Sequence, residues 1–527
     1  MKFGNSFLYQ LKPEWKESYI HYIDLKLYLK NKVPFGDEEE EDFKNKIQKD
    51  LQMVRDFTEN KYNELNNIVI SCEKKIEELS QSEDTDYSEI NEQLSVATND
   101  ILELDKYIRL NSLGFSKILK KHDKLTNYKI KMNYIEELKG FPFNINFNDL
   151  IIKLSKLFAI TNVDPFKNAK NNNNTGTEHF VRSTSKYWVH KNNITAVKCS
   201  ILKHLPVNIY NSKTGRFDPG ITSIYFDNSD FDLYVGRLKL LKGAEAFRIR
   251  WYGAVDSSDT VYMERKINQG AKISESSHKE RFPLEEKYVN DYLSGKYNFE
   301  EKIKYYRENG LRTEKQLEEL ERFSTEYQDA VIKKNLKPVL RTFYNRIAFQ
   351  FPDHARIRIS LDTDLCMIRE DNFGRPRSKD NWRREDVKTD FPFAYLPEED
   401  ITRFPFGILE IKLQTQYGVK APQWIEDLIN SHLVEQIPKF SKFVHGVSVL
   451  NKDRVPLLPY WLPQLDVLEM KEKDMRLNEN NENLKKKKNS EASNQTHQNH
   501  VLNVSATPRK KSIEYCEPQL NHFANEK

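Results

Sequence analysis

The sequence predicts an α+β protein in which a bundle of long helices is followed by a mostly antiparallel sheet. Three observations predict this fold. Apolar residues recur at helical spacing over roughly the first 145 residues. Strands that alternate apolar and charged side chains recur between about residues 179 and 468. The asparagine-rich segment 171–177 separates the two regions and is the clearest domain boundary.

Composition limits the classes of protein that the chain can belong to. Its 527 residues allow two or three domains, and the formal net charge of +4 is too small for general nucleic-acid binding. The four cysteines, Cys72, Cys199, Cys366 and Cys516, are too far apart to indicate a zinc site or a disulfide framework. The sequence shows neither a secretory signal nor a stretch of roughly 20 apolar residues, so we expect no transmembrane segment and a chain in or facing the cytosol.

The helical region divides into several segments. A first helix is predicted across residues 15–27, and it ends before the break at 34–36 and the acidic run 37–42. A long helix with one apolar stripe follows over 43–79, and another runs through 90–108 after a polar stretch. The simplest arrangement is a bundle of antiparallel helices.

One helical face carries four lysines, Lys117, Lys120, Lys121 and Lys124, at positions i, i+3, i+4 and i+7. Like charges at this spacing repel each other, so the arrangement costs stability unless an anion neutralises it. The pattern fits either a solvated basic face or a phosphate-binding site.

The segment 245–252 predicts a strand with an unusual division of faces. Its apolar side carries Phe247, Ile249 and Trp251, while Arg248 and Arg250 lie on the opposite side. Charged faces recur in further strands, which bear Glu264 and Lys266, Tyr344 and Arg346, Arg356, Arg358 and Asp362, and Glu410 and Lys412.

Two architectures accommodate these strands. One is a sheet with a single solvated face, as in many antiparallel sheets. The other is a closed barrel whose charged faces point inward around a channel for an anionic ligand. The abundance of arginine and the single carboxylate Glu410 favour the channel, because cations around one acid suit a complex of a metal ion with polyphosphate.

Helices are predicted to interrupt the sheet at 285–307, 313–334 and 423–434. From Lys471 onward the sequence is rich in Asn, Lys, Glu and Ser, so a disordered tail is expected. No glycine-rich phosphate loop or dinucleotide fingerprint occurs in the sequence. Any nucleotide would therefore be bound by side chains of the sheet.

Several motifs resemble known families. The segments 1–4, 22–26 and 117–124 resemble the SPX domain, a helical sensor of inositol pyrophosphates. The second region resembles the catalytic tunnel domain of the vacuolar transporter chaperone family, the eukaryotic polyphosphate polymerases. The matching stretches, in family order, are 187–190, 201–206, 221–227, 248–253, 264–266, 369–373, 409–415 and 438–443.

The resemblance implies four parts and favours the barrel. They are an α-helical SPX domain at 1–146, a helical connection and linker at 147–178, an antiparallel β-barrel triphosphate tunnel domain with flanking helices at 179–468, and a disordered tail at 469–527.

The resemblance also implies the site residues. Ten residues are expected to bind the phosphates of ATP and product: Lys203, Arg248, Arg250, Lys266, Lys279, Arg358, Arg369, Lys439, Ser441 and Lys442. Glu410 is expected to hold Mn²⁺ or Mg²⁺. Inositol pyrophosphate is expected to contact Lys2, Tyr22, Lys26, Lys117, Lys120, Lys121 and Lys124.

The implied activity is transfer of the γ-phosphoryl group of ATP to a growing polyphosphate chain, stimulated by inositol pyrophosphate. The expected partners are ATP, polyphosphate, inositol pyrophosphates and membrane-spanning subunits of the same complex, with no nucleic acid. The expected location is the cytosolic face of the vacuolar membrane, reached through those subunits, or the cytoplasm.

Two departures from the family pattern matter. Relatives commonly continue into a membrane-spanning region where this sequence has a polar tail, so we expect it to rely on membrane-embedded partners or to be a truncated or soluble form. Asn268 stands where the family usually has a histidine and Ser276 where it has a lysine, which supports an alternative function. The alternative is a non-catalytic accessory subunit that binds inositol pyrophosphate and polyphosphate. Hydrolysis of triphosphates ranks last, because it would be expected to use more inward carboxylates than Glu264 and Glu410.

Overall fold

The computed structural model describes most of the chain: residues 3–32, 35–80, 86–161, 180–208, 219–253, 259–268, 277–352, 356–371, 381–388, 390–416, 421–468 and 515–516. These residues form two compact units. The helical unit contains the described residues up to 161 together with Thr195–Val207. The sheet unit contains the rest. The asparagine-rich linker and nearly all of the predicted tail lie outside the described residues.

The helical unit confirms and extends the two long predicted helices. Its helices are α1 (Phe3–Gln10), α2 (Tyr22–Asn31), α3 (Asp37–Leu79), α4 (Ser88–Leu125), α5 (Ile135–Lys139), α6 (Asn148–Thr161) and α7 (Ile194–Leu202). The helix predicted across 15–27 is broken, because Pro13–Ser18 form a 3₁₀ helix and an α-helix begins only at Tyr22. The acidic run belongs to α3 rather than to a loop. Four acidic residues in its first turn offset the helix dipole, and the Glu39 carboxylate accepts the backbone N–H of Gly36 at 3.1 Å.

Contacts in the helical unit hold α2 close to α4. Asn111 of α4 accepts the backbone N–H of Ile20 at 2.8 Å. A side-chain carbon on Gly114 would lie 2.8 Å from Ile20 Cγ2, so only glycine allows this approach. The segment that leads into α2 is therefore fixed against the helix that carries the predicted lysine face.

The sheet unit contains a ten-stranded antiparallel sheet. Its strands are β1 (Phe180–His190), β2 (Gly220–Asp227), β3 (Glu245–Tyr252), β4 (Thr260–Asn268), β5 (Ser277–Glu285), β6 (Lys337–Phe349), β7 (Ile357–Arg369), β8 (Ile401–Arg403), β9 (Phe406–Gln416) and β10 (Val434–Gln436). The order is β10-β1-β9-β7-β6-β2-β3-β4-β5, and β8 pairs with β7.

The sheet is curled but its edges do not pair. Among the described residues β5 and β10 are the two ends of the strand order, so backbone hydrogen bonds do not close the sheet. The sheet nevertheless bends back on itself. Five strands separate β1 from β4, yet Lys186 on β1 is close enough to Lys266 on β4 for its charge to lower the pKa of Lys266. The predicted antiparallel, barrel-like tunnel is confirmed, with an open seam in the hydrogen bonding.

Helices cover both faces of the sheet. They are α8 (Asp232–Leu238), α9 (Val289–Leu293), α10 (Glu300–Glu308), α11 (Glu314–Lys333), α12 (Gln423–Ile429) and α13 (Lys442–Leu450), and two residues at 458–459 pair with 515–516. The predicted helix at 285–307 is two short helices, and the one at 423–434 ends at Ile429 because β10 follows. No described helix is both long and apolar enough to cross a bilayer.

Candidate functional site: an inward-facing cation cluster

The alternation predicted for β3 is confirmed. Phe247, Ile249 and Trp251 are buried on the outer face, where Tyr327 of α11 packs against Phe247 with ring centroids 5.0 Å apart. Arg248 and Arg250 point to the inner face. Because directly paired residues of an antiparallel sheet share a face, the register extends this inner face over the neighbouring strands.

The inner face gathers cations from most of the strands. We call these residues, together with one from α8 and one from α13, the cation cluster: Lys186, Arg237, Arg248, Arg250, Lys266, Lys279, Arg346, Arg358, Lys412 and Lys442. Three carboxylates lie among them, from Glu264, Asp362 and Glu410. Cations therefore exceed acids on this face.

Glu264 joins two strands of the cluster. It accepts Arg248 Nε at 2.7 Å and Lys279 Nζ at 2.7 Å, and its side chain is 2% exposed. Burial alone would raise the pKa of Glu264, but Arg248, Arg250 and Lys279 together lower it to about 2. The carboxylate is ionised at every physiological pH.

Asp362 likewise joins two elements of the cluster, β6 and α13. Arg346 donates from Nε and Nη2 to its two oxygens at 2.6 and 2.8 Å, and Lys442 Nζ lies 2.5 Å from Oδ2. Burial would raise the pKa of Asp362, yet Arg346 and Lys442 lower it to about 2.

The amino terminus of α13 faces this part of the cluster. Ser441 caps the helix by accepting the backbone N–H of Val444, and Lys442 is the first helical residue. A helix amino terminus carries partial positive charge and free N–H donors, which adds to the cations. Lys186 anchors the preceding loop by donating to the carbonyl of Phe440 at 2.6 Å. Lys439, in that loop, is exposed and adopts a left-handed backbone conformation with φ 59°.

Glu410 lies on β9 between cations. Its carboxylate is 3.1 Å from Lys412 Nζ. Burial opposes its ionisation, but Lys186, Lys412 and Arg346 hold the pKa of Glu410 far below the usual range. Among the described residues, no group of three or more His, Cys, Asp or Glu side chains is arranged to hold a metal ion.

Two lysines of the cluster titrate near neutral pH. Part of the Lys266 side chain is exposed, but the protein packed around it, together with the charges of Lys186 and Arg237, lowers its pKa to about 7. Burial also lowers the pKa of Lys279 to about 8, against the opposing effect of Glu264. An incoming anion would therefore change the protonation of both amines.

One predicted residue of the sheet unit, Arg369, lies away from the cluster. Arg369 is at the end of β7, where it binds Asp371 at 3.1 Å and approaches Asn451, just beyond the carboxyl end of α13, at 3.5 Å. Helix α13 starts at Lys442, and its nine residues span roughly 13 Å, so Arg369 is separated from the cluster by the length of the helix. Lys203 belongs to the helical unit. The roles of both residues stay predictions.

Sequence reasoning assigned no role to several inward residues: Lys186, Tyr225, Arg237, Tyr344, Arg346 and Asp362. The alternation had placed Tyr344, Arg346 and Asp362 on charged faces, which was a usable signal. Nothing in the sequence pattern indicated that α8 would bring Arg237 to the sheet.

The departure at Asn268 has a structural role. Its side-chain amide donates to the carbonyls of Leu240 and Leu241 at 2.9 and 3.1 Å, which ties the end of β4 to the loop after α8. Ser276 lies outside the described residues.

The predicted lysine face in the helical unit gains residues from α2. Burial lowers the pKa of Lys121, and the charges of Lys26, Lys30 and Lys124 lower it further. Lysines of α2 and α4 therefore converge, and Lys30 was missed by the sequence analysis.

The start of α1 lies beside the same lysines. A side-chain carbon on Gly4 would be 3.3 Å from Lys26 Nζ. Phe3 packs against Tyr22 with ring centroids 4.8 Å apart, and Lys117 Nζ lies 5.7 Å from the Phe3 ring. Lys2 lies outside the described residues, so its predicted contact stays a prediction.

Comparisons with known proteins match both units. The VTC domain model matches residues 181–451, and the SPX domain model matches residues 98–138. Vacuolar transporter chaperone complex subunit 4 of Schizosaccharomyces pombe is 45% identical over 482 residues, which cover 89% of this chain and 66% of the relative. Subunit 2 of the same organism is 33% identical over 502 residues, covering 88% and 67%. The chain thus spans about two thirds of the length of these relatives.

A solved structure of the SPX domain of Chaetomium thermophilum glycerophosphodiester phosphodiesterase 1, in complex with inositol hexakisphosphate, covers 31% of this chain and 99% of that chain, with 22% identity and a TM-score of 0.27. The sequence matches establish the relationship without it, because the VTC model alone spans more than half of the chain. The resemblance found in the sequence is confirmed: the chain belongs to the vacuolar transporter chaperone polyphosphate polymerase family and contains SPX and VTC domains.

Proposed function

We propose that the sheet unit is an ATP-dependent polyphosphate polymerase, which transfers the γ-phosphoryl group of ATP to the end of a growing polyphosphate chain. The observation that carries the proposal is the cation cluster, in which lysines and arginines from many strands surround the ionised Glu410. Fixed cations on an inward face suit a linear polyanion better than a neutral substrate.

The chemistry asks little of the protein beyond positioning. The attacking group is a terminal phosphate that is already ionised, so the reaction needs no general base. The barrier lies in bringing two polyanions into line, and preorganised guanidinium and ammonium groups offset that repulsion. Arg248, Arg250 and Arg346 offer planar forks for phosphate oxygens, while the α13 amino terminus offers backbone N–H donors.

The residues present fit a divalent ion that arrives bound to ATP. Glu410 is ionised, but Lys412 and the other cations around it would repel a bare ion, and a single carboxylate is a sparse ligand set. Phosphate oxygens and water would complete the coordination of Mn²⁺ or Mg²⁺ beside Glu410. When bound, the ion would neutralise charge on the phosphates, and this chain's own residues would orient them.

We propose the substrate contacts from membership of the cation cluster. They are the predicted residues Arg248, Arg250, Lys266, Lys279, Arg358 and Lys442, to which we add Arg346 and Lys186. Their positions in the cluster make Arg346 and Lys186 better candidates for phosphate contacts than Arg369.

We assign the convergent lysines of α2 and α4 to inositol pyrophosphate. The charge on Lys121 is opposed by burial and by three neighbouring lysines, and a multivalent anion would relieve that repulsion. The SPX relative named above was solved with inositol hexakisphosphate, which has the same phosphate chemistry. Binding there would stimulate synthesis in the sheet unit.

The chain would work within a complex. The relatives are named as subunits of a vacuolar transporter chaperone complex. We propose that this chain associates with such subunits at the cytosolic face of the vacuolar membrane, where they would carry product across.

The alternative is an accessory subunit that binds polyphosphate without making it. Asn268 favours this alternative, because it replaces the family's histidine and its side-chain amide donates to the carbonyls of the loop after α8. The relatives also include subunit 2 as well as subunit 4.

One experiment separates these functions. The full chain is incubated with ATP and Mn²⁺, with and without inositol pyrophosphate, and the products are resolved on a gel. Polymer that is lost in Glu410→Ala but kept in Glu314→Ala, an exposed acid of α11, supports the polymerase. Polyphosphate binding without synthesis supports the accessory subunit, and release of free phosphate from triphosphate supports hydrolysis.

A further inference from the structure

Two buried carboxylates inside the cation cluster have no role in the proposed chemistry. Glu264 and Asp362 each have side chains that are 2% exposed, and each binds two cations from different elements. Four cluster members, Arg248, Lys279, Arg346 and Lys442, therefore already have an anionic partner within 2.8 Å before any ligand enters.

Neutral groups also hold several of these cations in place. Arg248 Nη1 donates to the hydroxyl of Tyr225 at 2.9 Å. Lys442 Nζ lies 4.4 Å from the centre of the Tyr344 ring, and Arg346 lies 5.3 Å from it. These three cations would therefore keep partners if the carboxylates lost their charge.

What the carboxylates add is negative charge beside the path of a polyanion. A phosphate that binds Arg248 or Arg346 must approach the carboxylate that is hydrogen-bonded to the same guanidinium group. At separations of about 8 Å and an effective dielectric constant of about 20, the repulsion between unit charges changes an affinity by tenfold or more. Each acid therefore lowers the affinity of the cluster for polyphosphate.

We propose that Glu264 and Asp362 are fixed counter-anions that weaken polyphosphate binding enough for the growing chain to advance and leave. This inference rests on the proposed function. Movement of a charged ligand through a protein passage requires sites that bind strongly enough for entry and weakly enough for exit. An inner face lined with uncompensated cations would retain its own product.

The test uses amides of the same shape, Glu264→Gln and Asp362→Asn, in the full chain. The probe is linear polyphosphate of defined length, and the measurements are its dissociation constant and its release rate at fixed salt. We expect each variant to bind about tenfold more tightly and to release the probe more slowly. Glu264→Asp and Asp362→Glu, which keep the charge, should retain wild-type affinity.

The matched control is Asp329→Asn, an exposed acid on α11 whose change alters the net charge equally. Its affinity should stay at the wild-type value, which would exclude a general effect of net charge. Thermal unfolding verifies that each variant folds, and either amide variant that folds is sufficient to decide.

The sign of the change decides the inference. Unchanged or weaker binding by the amide variants would overturn it, because the carboxylates would then serve only to brace the cations. Failure of the proposed function looks different: the wild-type chain itself would bind no polyphosphate or make no polymer.

Discussion

At the scale of single residues, the inner face shows how neighbours set the state of a side chain. The Lys266 amine has a pKa of about 7 because protein and other cations surround it, whereas Glu264 and Asp362 have pKa values of about 2. The acids are therefore charged throughout the physiological range. Lys266 and Lys279, unlike these acids, can gain protons near neutral pH when a phosphate chain enters.

Polyphosphate binding should weaken as the pH rises from about 6.5 to 8.5. In the ligand-free protein Lys266 loses its proton around pH 7 and Lys279 around pH 8. A bound phosphate favours the charged forms and raises both pKa values, so binding takes up protons. The affinity then falls with rising pH, by up to about tenfold per pH unit for each proton taken up.

The measurement is the dissociation constant across this pH range, with proton uptake measured by calorimetry in buffers of different ionisation enthalpy. Lys266→Arg keeps its charge and should reduce the pH dependence, whereas the exposed Lys333→Arg should behave as wild type. A wild-type affinity that stays constant over this range would contradict the assignment.

At the scale of elements, α13 divides the inner face. Its amino terminus contributes Lys442 to the cluster, and its middle packs against the apolar part of β6 and β7. Gly446 permits that packing, since a side-chain carbon there would lie 2.6 Å from Leu340 Cδ2 and 3.2 Å from Met367 Sδ.

Gly446→Val should displace α13 and weaken the site at its amino terminus. Overpacking against buried Leu340 should lower the free energy of unfolding by roughly 1–3 kcal/mol. The shift should also move Lys442 away from Asp362 and reduce polyphosphate affinity. Denaturant unfolding and the binding assay measure the two effects. The control Val449→Ala, on the exposed side of the same helix, should change neither stability nor affinity. If Gly446→Val binds polyphosphate with full affinity, the position of α13 does not determine binding.

Alternation alone could predict which strands carry inward charge, but not where the alternation breaks. Arg358 and Arg369 are eleven positions apart, which in a regular strand puts them on opposite faces. An irregularity between Phe343 and Asn345 shifts the register, and α13 then fills the part of the face near Arg369. The sequence pattern shows neither the shift in register nor the position of α13.

Partners from distant segments were also beyond the sequence pattern. Asp362 was placed correctly on a charged face, but its partner Lys442 comes from a helix 80 residues later. Strand β5 lacks clean alternation because its outer face is charged as well, with Glu280 binding Arg265 and Arg322. The resemblance identified Lys279 there, where periodicity could not.

At the scale of the whole molecule, the chain carries two groups of convergent cations, which differ in design. The helical unit gathers lysines of α2 and α4, while the sheet unit holds arginines between strands with carboxylates and tyrosines. The first design suits a soluble signal that comes and goes, and the second suits a chain that must be aligned for reaction.

Charge reversal at Lys120 or at Lys121 should abolish the response to inositol pyrophosphate. An added carboxylate there would repel the phosphates and would neutralise the convergent lysines. The readouts are binding of the inositol pyrophosphate to the full chain and the ratio of synthesis with and without it. Lys106→Glu, exposed on the same helix, should keep both. If inositol pyrophosphate still stimulates synthesis by the Lys120 and Lys121 variants, its binding site lies elsewhere.

The left-handed backbone at Lys439 has a consequence for protein engineering. A non-glycine residue in that conformation costs on the order of 1 kcal/mol, and glycine would adopt it without this penalty. A library screened for heat resistance alone would therefore enrich glycine at this position. The selected variants would be more stable but would lack the Lys439 amine in the loop before α13. A screen for thermal stability should therefore be combined with a screen for turnover.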